Sequence, residues 1–82
     1  MEKKKVIKII EKVADSFYQN RNRDGIKDMP ELIENLSNMA EILNAEKQKQ
    51  YCITIKNLAD AYEQQNYIMV ADILSFDVLG LI

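Results

Sequence analysis

The chain has 82 residues, 11 basic and 13 acidic side chains, no histidine and a single cysteine, Cys52. That length sets one small domain, 1–82, which on folding hides only ~60–65% of the surface its unfolded chain exposes. The missing histidine excludes zinc signatures and histidine-dependent triads, the lone cysteine excludes an internal disulfide, and the near-balanced charge carries no general affinity for DNA.

Residues 4–19 predict an amphipathic helix. Val6, Ile7, Ile10, Val13, Ala14 and Phe17 share one face, while Lys8, Glu11, Lys12 and Asp15 share the other. Lys3, Lys4 and Lys5 oppose the helix dipole, so the first turn either frays or meets something negative. The basic start, Met1 to Lys5, resembles the head of a secretory leader. The apolar run after it is cut by Lys8 and ended by Glu11 and Lys12, short of the ~7–15 apolar residues a leader needs. The expectation is a cytoplasmic protein.

Residues 20–29 (Asn-Arg-Asn-Arg-Asp-Gly-Ile-Lys-Asp-Met) are expected to be a loop, with Gly25 supplying a positive φ. Asp28, Pro30 and Glu31 then resemble a capping box opening a helix over 29–43. In that helix Leu32, Ile33, Leu36, Met39, Ala40 and Leu43 face inward. The polar stretch from Asn44 to Gln50 carries neither Gly nor Pro. A break near Asn44 fits better than one helix of about 35 residues, far beyond the usual ~11–12. A third helix, 46–64, places Tyr51, Cys52, Ile55, Leu58, Ala59 and Tyr62 on one stripe.

The last helix, 67–79, is apolar nearly all round. Tyr67, Val70, Ala71, Leu74, Val78 and Leu81 form one stripe; Met69, Ile73 and Phe76 form a second on the opposite side. Asp72 and Asp77 interrupt a run that would need ~20 apolar residues to cross a membrane. Charge is also segregated: residues 1–27 are net +4, 28–56 net −2 and 57–82 net −4. Such asymmetry steers association more than it shapes a fold.

Each chemical motif has a plainer reading. Asn20, Asn22, Asp24, Gly25, Asp28 and Glu31 fall at ligand positions of a calcium loop. Asn20 replaces the leading Asp, Pro30 sits next to the last ligand, and Arg21, Arg23 and Lys27 cancel the carboxylates, so a turn and a cap explain the stretch without a metal. Cys52, without a base to form its thiolate, reads as a small core residue. Lys3, Lys4, Lys5, Lys8 and Lys12 read as a solvated face, since Glu11 and Asp15 interrupt them and no aromatics interleave. Tyr18, Tyr51, Tyr62 and Tyr67 read as residues at the edge of the core with hydroxyls reaching water.

The segment from Leu58 to Leu79 resembles the closing hairpin of small uncharacterised helical domains of Gram-positive bacteria. Ala61, Glu63, Asn66, Tyr67, Ala71, Asp72, Leu74, Phe76 and Leu79 match its pattern; Ser75 and Asp77 depart from two glutamates, and Gly80 stands where proline is common. The resemblance spans about 25 residues and implies an all-helical fold without an assigned activity.

The reading is an all-α antiparallel bundle of three or four helices, about 4–19, 29–43, 46–64 and 67–79. It is expected to be a protein–protein interaction module without cofactor, metal or catalytic residues, self-associating into a homo-oligomer through Met69, Ile73 and Phe76. A cytoplasmic partner helix could use the same surface. One alternative is an electrostatic adaptor placing the basic first helix on nucleic acid or anionic membrane, although no nucleic-acid partner is expected. A distant one is a small carboxylate-dependent enzyme.

Overall fold

The computed structural model describes residues 3–82; Met1 and Glu2, part of the leader-like start, lie outside them. Four helical segments succeed one another with short connections: α1 (Lys3–Tyr18), α2 (Asn22–Ala40), α3 (Ala45–Glu63) and a terminal helix. The terminal helix is itself composite. It comprises α4 (Tyr67–Asp72), a π-helical turn (Ile73–Val78) and α5 (Leu79–Leu81). The all-α antiparallel bundle expected from the sequence is the observed fold.

Two of the three connections are built alike. α1 ends on Asn20 at φ 61° and α3 ends on Gln65 at φ 59°. In each, the residue after the left-handed one donates its amide five residues back, Arg21 to Ser16 and Asn66 to Ala61. These are glycine-type helix ends carried by non-glycine residues. The third connection, between α2 and α3, breaks the chain at Asn44, whose Oδ1 accepts the Lys47 amide at 2.9 Å. The Gln48 side chain also donates to the Ala40 carbonyl at 2.8 Å, capping the end of α2. Asn66 repeats the amino-terminal cap for α4, accepting from the Met69 amide at 3.3 Å.

The expected loop over 20–29 does not exist. The reversal takes only Gln19, Asn20 and Arg21, and Asn22 already begins α2. Gly25 is helical and buried, and its φ is not positive. It is required for clearance: a β-carbon there would stand under 3.0 Å from three atoms of the Phe17 ring. Pro30 lies inside the helix instead of capping it, on the solvent side, and leaves the Ile26 carbonyl without its usual amide. Asp28, likewise interior, meets Lys12 of α1 at 3.5 Å.

α1 is the hub. It packs along α2 on one side and along the terminal helix on the other, and the terminal helix packs in turn on α3. Val6, Ile10, Val13 and Phe17 are fully buried at this centre, as their spacing requires. The Phe17 ring stacks on Tyr67 at 5.0 Å, and Tyr62 meets Tyr67 edge-on at 6.2 Å. Tyr51 is buried and donates its hydroxyl to the Leu36 carbonyl at 2.7 Å, pinning α3 to α2. Beyond that point α2 and α3 meet only sparsely. The bundle is closed on three seams and open on the fourth.

Candidate interaction surface

The terminal helix decides which of its apolar residues reach solvent. Val70, Leu74 and Val78 are spaced by four and all fully buried. An α-helix would let such a line drift by about 40° per step. The π turn removes most of that drift, and the Leu79 amide bonds to the Leu74 carbonyl five residues back. Widening the turn keeps 70, 74 and 78 on one inward line and separates Ile73 from Phe76. Ile73 is 8% exposed and belongs to the core, whereas Phe76 is 71% exposed. Met69 is half-exposed, as is its neighbour Ile68. Of the three expected interface residues, Met69 and Phe76 are therefore exposed and Ile73 is buried: its placement on the outer face is corrected, and the cause is the change in helical pitch.

One polar contact anchors this surface. Tyr18 at the end of α1 donates its hydroxyl to Asp72 Oδ1 at 2.5 Å, where α4 gives way to the π turn. The carboxylate beside it holds the Tyr18 phenol above its ordinary range, chiefly through that hydrogen bond. Asp77, next to Phe76, is exposed and forms no ion pair among the described residues.

The second apolar feature is the open seam. Met29, Ile33 and Leu36 of α2 face Ile55, Leu58 and Tyr62 of α3 across a cavity of about 140 Å³. It continues towards the Asn44 end past Ala40, Tyr51 and Cys52. Burial pushes the Tyr62 hydroxyl above its usual pKa here, with the nearby Tyr67 adding to the shift. Ile33 is 47% exposed on the lip, and Cys52 and Ala59 are exposed as well. The expectation that Cys52 packs in the core is overturned. Buried positions on α3 are Tyr51, Leu58 and Ala61, so the inward face is turned away from Cys52 and Ala59. The signal for the groove was in the sequence: both α2 and α3 carry apolar stripes wider than one neighbouring helix can cover.

The remaining candidates separate. Asn22, Asp24, Gly25, Asp28 and Glu31 lie on a continuous helix, so they cannot curl around one ion, and no cluster of three metal-type ligands forms among the described residues. Lys3, Lys4, Lys5 and Lys8 are exposed on the outer side of α1 and form no ion pair among the described residues, unlike Lys12. Of the tyrosines, Tyr51 is core and only Tyr18 is exposed. No helix among the described residues is long and apolar enough to cross a membrane.

Fold and surface define a small helical bundle with an open apolar seam and the exposed ring of Phe76. The chain belongs to the family described as Domain of unknown function (DUF8042), whose model matches residues 3–82. No curated protein and no solved structure matches it.

Proposed function

We propose that this protein is a self-associating interaction module of the bacterial cytoplasm, of Gram-positive origin, and that the outer face of its terminal helix forms the contact. The observation that carries this reading is Phe76, a phenyl ring 71% exposed on a helix whose Val70, Ile73, Leu74 and Val78 are buried. Aromatics at that exposure are costly in water and are typical anchors of protein interfaces. Met69 and Ile68 are exposed two turns earlier on the same helix, with the exposed Asp72 between them and Phe76. No catalytic role is assigned, because the cavity on the open seam is lined by hydrocarbon, with Ser37 and Tyr62 as its hydroxyls. The apolar lining of the same seam suits side chains of a partner helix, in the mode of helix-in-groove recognition.

The test is the state of association of the wild type and of Phe76→Asp, read by sedimentation across concentrations. Phe76 contributes little to the core, so the variant is expected to keep its helical circular dichroism and to sediment as a monomer. A second reading, an electrostatic adaptor, is favoured by Lys3, Lys4, Lys5 and Lys8, which are exposed without an ion pair among the described residues. It requires salt-sensitive retention on heparin or anionic vesicles that is lost when these lysines are replaced by glutamine.

A further inference from the structure

Self-association through Phe76 leaves open what the ring meets, and two quantities bear on it. The first is area. Ile68, Met69 and Phe76, at 52%, 49% and 71% exposure, offer only about 300 Å² between them. A stable complex buries ~800 Å² on each partner, so two terminal helices meeting through these side chains alone fall well short. The missing surface has to be apolar, exposed and elsewhere on the same chain. The seam between α2 and α3 meets that description, with Ile33 at 47% exposure and Ile55, Ala59 and Tyr62 accessible along it.

The second quantity is volume. The seam cavity measures about 140 Å³ and is walled by Met29, Ile33, Leu36, Ile55 and Leu58. An enclosed hydrocarbon-lined cavity of ~150 Å³ admits a benzene ring, which sets the volume a phenyl group needs. The protruding group of this protein is a phenyl ring, and its groove has the capacity for one. We infer that Phe76 of one copy inserts into the α2–α3 groove of a second copy, and that the exchange is reciprocal. The inference rests on the self-association reading and adds the identity of the receiving site.

The topology permits reciprocity. The terminal helix packs on α3, and α3 is also one wall of the groove. The helix that carries the knob is therefore the direct neighbour of one wall of the groove, with the axes of packed helices ~8–10 Å apart. A two-fold axis running beside α3 brings each knob over the other copy's groove and closes the assembly at two chains. Each protomer then contributes both surfaces, which raises the buried area towards the required range.

Complementation tests this. Phe76→Asp removes the knob and leaves the groove; Ala59→Trp fills the groove from its exposed lip and leaves the knob. Ile33→Asp, also at an exposed position, serves as a second groove variant should the tryptophan perturb folding. Each variant alone is expected to be a folded monomer at concentrations where the wild type is a dimer. Mixed in equal amounts, a knob variant and a groove variant should form a heterodimer through the one surviving contact, at least tenfold weaker than the wild type. Groove variants that dimerise like the wild type, while Phe76→Asp is monomeric, would overturn the inference and leave the self-association reading standing. A mixture that stays monomeric overturns it too. A wild type that is itself monomeric removes both.

Discussion

Gly25 of α2 lies against the ring of Phe17 of α1, with no space for a β-carbon between them. The contact sets how closely the two helices approach, at the point where the fully buried Phe17 also stacks on Tyr67 of the terminal helix. Gly25→Ala would gain up to ~1 kcal/mol in helix propensity. Overpacking against Phe17 costs ~1–3 kcal/mol and wins. The expected result is a net loss of up to about 2 kcal/mol, seen as a Tm lowered by up to about 10 °C. Gly80, with nothing within 4 Å of its would-be β-carbon, is the control: Gly80→Ala should be neutral or stabilising by a few tenths of a kcal/mol.

Gln65 holds φ at 59° to close α3, a conformation that costs an L-residue ~1 kcal/mol. Gln65→Gly removes the strain while keeping the Asn66-to-Ala61 amide bond. Stability to urea should rise by about 0.5–1 kcal/mol with an unchanged slope. Gln65→Val should shift stability in the opposite direction.

Tyr51 is the buried phenol, and burial raises its pKa far above the ordinary 10.0. The folded state therefore keeps the proton when the unfolded state has released it. The stabilisation is complete below pH 10 and is lost as pH rises from there towards the folded value. Unfolding free energy measured from pH 8 to 12 should decline above about pH 10. Tyr51→Phe should lower stability at pH 8 by about 1 kcal/mol, through loss of the Leu36 hydrogen bond, and flatten the alkaline decline.

Cys52 is exposed at the mouth of the seam, so its thiol should react with an aromatic disulfide reagent in the native protein. A rate close to that of the denatured chain is expected for the monomeric Phe76→Asp variant. A thiol protected as strongly as the core would show that α3 is rotated from the position described.

The sequence carried the helices and most of the core. Val6, Ile10, Val13 and Phe17 repeat with helical spacing and are all fully buried. The polar stretch at Asn44 marked a real break, since the asparagine side chain caps the first turn of α3. Three features were not legible, each for its own reason. Asn-Arg-Asn-Arg-Asp-Gly has turn composition, but residues 19–21 suffice for the turn and Gly25 serves clearance instead of φ. Cys52 lies on an apolar stripe that spans both the core and the open groove, and periodicity does not distinguish a buried apolar face from an exposed one. Counting α-helical steps places Ile73 on the surface with Phe76, and the π turn breaks that count.

The most direct measurement is sedimentation of the wild type and Phe76→Asp over a roughly hundredfold range of concentration, with circular dichroism of both. The account predicts a wild type that shifts to a dimer with concentration, and an equally helical variant that stays monomeric throughout. A wild type that remains monomeric at every concentration, or a variant that associates like the wild type, would contradict it.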